Sequence, residues 1–262
     1  SLCPNAAASN YIPLSLNGQN LPDPTDSGTT VHLSNRTLFG TGPAMTDVTQ
    51  GQVGDCYFLS SIQSFANDTP GKLENMAVDL GDGTYAVRFV RGGVTSYVRV
   101  DADFPLAPWG GEYYAHTSNT GAIWALVMEK AYAYYRPGSN TYYSLNSGWT
   151  GSVYSDLGVA NTTYSTAGNP VNLSTTLLTA TSASKAVTII TNGTIVGGAS
   201  LIGSHAYSVV NAYTDAGGVE WVTLRNPWGM DGIGNDGNTA DGLVRITIAN
   251  IQANCAAGSI SL

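Results

Sequence analysis

Charge is scarce in this chain. Of its 262 residues, 10 are basic and 18 acidic, so only 11% are charged, against about a quarter in ordinary soluble domains. No cluster of Lys and Arg occurs and the net charge is −8, which leaves nothing to neutralise a phosphate backbone and excludes a nucleic-acid binder. No apolar run approaches the roughly 20 residues that cross a bilayer. Histidine and cysteine number three each, too few for a metal-knuckle or disulfide-dense scaffold. Repeats of fixed period are missing, which excludes a solenoid or propeller.

Ser, Thr, Asn and Gly fill the places that Lys and Glu hold elsewhere. A neutral polar surface of this kind is more usual outside cells, so the expected location is extracellular or at a cell surface. The chain opens at Ser1 with no signal-peptide pattern, an expectation either of a removed targeting segment or of a piece of a larger multidomain chain. Cys3 and Cys255 lie near opposite ends and are candidates to close a disulfide, leaving Cys56 free; two reduced thiols fit the sequence equally well.

Residues 1–40 are rich in Ser, Asn, Pro and Gly and read as an irregular arm. Phe58, Leu59, Ile62, Phe65 and Ala66 fall at helical spacing, which predicts a helix from Cys56 that stops by Pro70-Gly71. Tyr85, Val87 and Phe89 alternate up to Gly92-Gly93, and Tyr97–Val100 returns, a hairpin pattern. A second helix is predicted from about Gly121 to Tyr135, ending at Arg136-Pro137-Gly138, and 138–158 reads as loop. Strands are expected at Ala186–Ile190, Ala206–Tyr213, Val219–Leu224 and Leu243–Ile248. The fold class is therefore α+β, a helical part over about 41–150 and a β-rich part over about 151–262. The acidic segment 231–242 does not carry the ligand spacing of an EF-hand and reads as loop.

Chemistry concentrates at three places. Cys56 follows the Gly54-Asp55 turn at the start of a helix, where partial positive charge favours a thiolate and an unpaired N–H faces outward for an oxyanion. Gln50, six residues earlier, offers a second amide donor, while a charge on Asp55 opposes thiolate formation. Folding the strands around Ala206 and Leu224 about a turn at Asp215-Ala216 sets His205 opposite Asn226, an imidazole beside an amide oxygen. Each residue taken alone is ordinary: free cysteines are mostly core, and Asn-Pro mostly starts a turn.

Three motifs in order resemble those of calpain-like cysteine peptidases. They are Gln50-Gly51-Gln52-Val53-Gly54-Asp55-Cys56-Tyr57, then Ser204-His205-Ala206-Tyr207-Ser208-Val209, then Arg225-Asn226-Pro227-Trp228-Gly229. Val100–Pro105 and Trp124–Ala133 are similar to the middle segment of the same family. The resemblance implies a papain-like two-lobed core with the active-site cleft between a helical lobe and an antiparallel β lobe. It implies a thiol endopeptidase with Cys56 as nucleophile, His205 as base, Asn226 as orienting residue and Gln50 in the oxyanion hole, acting on a protein or peptide through a thioester. Trp228 is implied as a shield over the His–Asn pair and Gly148 as a partner for substrate backbone. Ser204 stands where the family uses Gly, and Tyr57 where it uses Trp.

Family members that depend on calcium bind it in this core, and Asp47 with the Gly42 carbonyl matches part of that ligand set. Ala122 stands where the partner Glu is expected, and the Glu-x-x-Trp continuation after Gly229 is missing. Calcium is thus a candidate cofactor that the sequence argues against requiring. Two other readings remain. One is a non-catalytic module of a surface protein. The other is a transglutaminase-type acyl transferase, which would carry Asp rather than the Asn226-Pro227-Trp228 asparagine.

Overall fold

The structure is a computed structural model, and it describes residues 21–262 apart from Ser34, Asn119, 137–139 and 234–237. Cys3, the first half of the N-terminal arm, the Pro137-Gly138 helix stop and part of the 231–242 loop lie outside the described residues.

The arm from Leu21 onward lies against the core. Strand β1 (Thr30–His32) is followed by a 3₁₀ turn at Met45–Asp47 and then by helix α1 (Cys56–Asp68). Residues Tyr57 to Ala66 of α1 are buried without interruption, so the helix runs through the molecule instead of lying on it. Burying Phe58, Leu59, Ile62 and Phe65 contributes about 1.5–3 kcal/mol apiece. Pro70 does end α1 but also starts a short helix, α2 (Pro70–Glu74), since proline is well placed at a first helical position. Strands β2 (Ala77–Asp79), β3 (Thr84–Arg91) and β4 (Val94–Asp101) form a three-stranded antiparallel sheet, with Gly92 and Gly93 at positive φ in the β3–β4 turn. Strand β5 (Asp103–Pro105) pairs with β1. Helix α3 (Trp124–Tyr135) is buried along most of its length, charged residues included.

The segment read as loop is a correction. A 3₁₀ turn at Tyr142–Leu145 and helix α4 (Thr150–Asp156) occupy it; Tyr142, Leu145, Val153 and Tyr154 are fully buried there, and tertiary burial overrides the weak helix preference of a Ser/Gly/Tyr-rich stretch. Next come β6 (Asn161–Ser165), α5 (Pro170–Ser182), β7 (Val187–Thr191), β8 (Ala206–Thr214), β9 (Glu220–Arg225), β10 (Leu243–Thr247), α6 (Ile248–Asn254) and β11 (Cys255–Ser261). β6, α5, α6 and β11 were not anticipated: they are short or rich in Ser, Thr and Asn, and their apolar positions are too few to show a period. The large sheet is six-stranded and antiparallel, in the order β10-β9-β8-β7-β11-β6.

Two apolar clusters fill the interior. One is built on α1, α3, α4 and the three-stranded sheet, and the other on α5, α6 and the six-stranded sheet. Ala186 and Ala206 belong to the first cluster although they flank strands of the large sheet, so α1 packs directly against β7 and β8. A buried polar bridge joins the same elements: the Gln63 amide of α1 meets Ser208 and the Arg225 guanidinium. The arm is tied down by Lys130, which is fully buried and bonds Asp101 at 2.6 Å, Asp23 at 2.5 Å and the Asp103 carbonyl at 2.7 Å.

Candidate active site

Helix α1 begins at Cys56 because Asp55 leaves helical geometry while its carbonyl already accepts from Phe58 and Leu59 at 2.7 and 3.0 Å. The Cys56 side chain is only half-buried, unlike the residues that follow it. Its thiol faces the backbone N–H groups of Ala206 and Tyr57. Ala206 opens β8 and follows His205 directly, so the packing of α1 on the large sheet sets Cys56 against the strand end that carries His205. His205 is 5% exposed, and its Nε2 lies 2.8 Å from Asn226 Oδ1. That bond commits Nε2 and leaves Nδ1 as the ring nitrogen for another partner.

The His–Asn encounter is not the one that simple pairing predicts. The β8–β9 register runs Thr214↔Glu220, Tyr213↔Trp221, Ala212↔Val222, Asn211↔Thr223, then slips past a bulge to Val209↔Leu224 and Ser208↔Arg225. Continued in that register, His205 stands opposite Trp228. The indole does lie against the imidazole, ring centroids 4.8 Å apart. Asn226 reaches Nε2 from beyond the strand end, where the chain turns: Gly229 N–H returns to its carbonyl at 3.1 Å, and its Oδ1 also accepts from Trp228 N–H at 3.0 Å. Asn226 Nδ2 is anchored on the Asp231 carbonyl at 3.2 Å.

Gln50 lies close by and is buried; its Nε2 donates to the Val53 carbonyl at 2.7 Å, leaving one N–H of that amide for another acceptor. Gly148 abuts Tyr57, the residue after Cys56, and a Cβ there would lie 2.3 Å from two of its ring atoms. Tyr57 is fixed at its hydroxyl by Arg136. Ser204 has φ +52°, left-handed backbone that favours glycine, which accounts physically for Gly at this place in the resembled motif.

Burial dominates the acid–base balance. It pushes the Cys56 thiol up to about 11, opposed by the Ala206 N–H and reinforced by Asp55. The same effect pulls the His205 imidazole down to about 4, partly offset by Asn226. The helix N-terminus does not by itself lower the thiol as expected, because desolvation outweighs it. Burial thus favours the neutral form of each group.

Two buried acids were missed or undervalued. Glu129 sits in α3 within an apolar run, which was a visible signal, and accepts from Ala115 N–H at 3.0 Å. Its carboxyl lies within hydrogen-bonding reach of Asp55. Burial raises Asp55 to about 7 and Glu129 well above its usual value.

Asp47 is buried and fully engaged. Its Oδ2 accepts from Trp124 Nε1 at 2.8 Å and Ala44 N–H at 2.9 Å, and its Oδ1 from Thr120 Oγ1 at 2.8 Å. Ala122, at the place of the expected acidic partner, is buried and presents only a methyl group. These residues do not fit a calcium ion, because the one carboxylate already receives three protein donors. Among the described residues no group of three or more His, Cys, Asp or Glu converges on a metal position.

Comparison with known families decides the lineage. The model of the calpain family cysteine protease matches residues 28–242. The chain belongs to the calpain family. It is 28% identical over 215 residues to the calpain-1 catalytic subunit of Macaca fascicularis, covering 75% of this chain and 29% of that protein. Against the calpain-2 catalytic subunit of Rattus norvegicus it is 28% identical over 235 residues, 80% of this chain and 33% of the relative. A calpain-type cysteine protease of Zea mays is 32% identical over 97 residues, 37% of this chain and 4% of that much longer protein. The chain thus spans a third or less of the length of these relatives. Among the described residues no helix is long and apolar enough to cross a membrane.

Proposed function

We propose that this calpain-family chain is a thiol endopeptidase working through Cys56, His205 and Asn226 in a two-lobed papain-like core. The reading is supported by His205 Nε2 bonded to Asn226 Oδ1, and by the N–H of the next residue, Ala206, which acts on the Cys56 thiol. In this mechanism the proton passes from Cys56 to His205 Nδ1 as sulfur attacks the peptide carbonyl. The charges then appear together and stabilise one another in a poorly solvated site. The Cys56 N–H and the remaining Gln50 N–H hold the oxyanion, each donor worth a few kcal/mol. His205 protonates the leaving amine and then activates water against the thioester. The Trp228 indole keeps solvent from the His–Asn bond, and Gly148 offers backbone to the substrate. Ser204 shapes the loop before the base.

The reading includes a core that does not require calcium, supported by the engagement of Asp47 and the methyl group of Ala122. It also places the chain as one domain of a larger protein outside the cell or at its surface, with a sparsely charged exterior. An epoxide or fluoromethyl-ketone thiol probe is expected to label the wild type and not Cys56→Ala, and peptide hydrolysis is expected to persist in a calcium chelator. No labelling would assign a non-catalytic module. Amine incorporation at glutamine without peptide cleavage would assign acyl transfer.

A further inference from the structure

Helix α1 meets strand β8 through polar groups that run in step along both elements. The Ala206 N–H acts on the Cys56 thiol. Gln63 meets Ser208 Oγ at 2.7 Å. Asn67 Nδ2 donates to the Val210 carbonyl at 3.3 Å, at the bulge where the β8–β9 register slips. Gln63 follows Cys56 by two helical turns and Asn67 by about three, so the three side chains share one face of α1.

Gln63 is the middle contact and the one that also reaches β9. The Arg225 guanidinium can only donate, so the Gln63 amide oxygen faces it. The amide nitrogen then donates to the Arg225 carbonyl at 3.1 Å and to Ser208 Oγ at 2.7 Å. Ser208 Oγ in turn donates to the same carbonyl at 3.4 Å. Gln63, Ser208 and Arg225 are 0%, 1% and 4% exposed, so bulk solvent does not compete for these bonds. One amide thus ties together three elements: α1, which starts at Cys56; β8, which follows His205; and β9, which leads into Asn226.

We propose that Gln63 is a positioning residue whose amide clamps α1 to β8 and β9 and so sets Cys56 in register with His205 and Asn226. The proposal rests on the thiol-peptidase reading of the site. Apolar packing between a helix and a sheet is non-directional and tolerates small slides. Hydrogen bonds are directional, and a slide that broke these would leave buried polar groups unpaired. The alignment matters because a displacement of about 1 Å between reacting groups can cost on the order of a hundredfold in rate.

Three substitutions separate the clamp from general packing. Gln63→Leu fills similar space and loses every bond of the amide. Gln63→Glu still accepts from Arg225 and Ser208 but no longer donates to the Arg225 carbonyl, so it loosens the clamp less. Ser64→Ala, on the same helix, deletes a buried bond to Tyr154 Oη at 2.9 Å and leaves the clamp intact.

The test is the rate at which iodoacetamide alkylates Cys56, read by peptide mass spectrometry at mildly alkaline pH, with circular dichroism as a check on folding. Each variant is measured with His205 present and in a His205→Ala background. With His205 present, Gln63→Leu should slow alkylation by about tenfold to a hundredfold, Gln63→Glu by less, and Ser64→Ala should match the wild type. In the His205→Ala background Gln63→Leu should have little further effect, because no imidazole is left to align with. Equal slowing by Gln63→Leu in both backgrounds, no slowing at all, or the same slowing by Ser64→Ala overturns the proposal. If Gln63→Leu does not fold, Gln63→Glu decides by the same comparison. Equal rates in wild type and His205→Ala would instead defeat the peptidase reading itself, and this role for Gln63 with it.

Discussion

His205 Nε2 bonds Asn226 Oδ1 at 2.8 Å, yet the sheet register places Trp228, not Asn226, across from His205. A bulge between Val209 and Asn211 shifts the end of β8 relative to β9, and the turn after β9 brings Asn226 back to the imidazole from the side. Asn226 accordingly reaches His205 without being its ladder partner, and its hold depends on the turn.

Asn226→Ala should lower turnover on the order of tenfold to a hundredfold, less than the 10²–10⁴ typical of a positioned acid–base group. His205→Ala and Cys56→Ala should abolish measurable hydrolysis. Steady-state kinetics on a fluorogenic peptide checks the order. A loss at Asn226→Ala equal to that at His205→Ala, with intact circular dichroism, would make the asparagine part of the proton transfer itself.

Stability should fall on the acid side partly because of His205. Its folded value, about 4, lies below the ordinary imidazole value of 6.5, so the unfolded chain binds the extra proton across that interval. The contribution is fully present above pH 6.5 and is lost as pH falls to about 4. Denaturant unfolding of wild type and His205→Gln should therefore diverge across this window by on the order of 3 kcal/mol. Parallel stability curves would mean that the imidazole is solvated.

Asp68 acts in the opposite direction. Burial at the end of α1 raises it to about 7, against one hydrogen bond from Asn67 at 3.0 Å. A raised carboxyl contributes stability below its unfolded value and loses it as pH rises through 7. Asp68→Asn should stabilise the protein at pH 8 by on the order of 1 kcal/mol, allowing for its partial exposure, with little gain at pH 5. Thermal unfolding at the two pH values measures this; an equal gain at both would remove ionisation as the cause.

Gly148→Ala should drive a methyl group into the Tyr57 ring, which Arg136 keeps from moving away. Overpacking of this kind costs about 1–3 kcal/mol, and Cys56 labelling should slow because Tyr57 is its chain neighbour. The double variant with Tyr57→Leu should recover part of both losses. No coupling between the two sites in a double-mutant cycle would show that the glycine is needed for its backbone alone.

What the amino-acid order determined by itself was local or chemical. The helix at Cys56, the β3–β4 hairpin and the strands β7 to β10 follow from apolar spacing between neighbours in the chain. The calpain-family likeness follows from three motifs that keep their residue types whatever surrounds them. Tertiary structure alone decided the rest. Helix α4 forms in a stretch with little propensity because Tyr142, Leu145, Val153 and Tyr154 are buried there. The bulge that decides which side chain faces His205 is a property of two paired strands. The shifts at Cys56, His205, Asp55 and Glu129 come from desolvation, which exists only once α1, α3 and the large sheet close around them. A carboxyl's charge depends on the water it has lost, and no single stretch of chain specifies that loss.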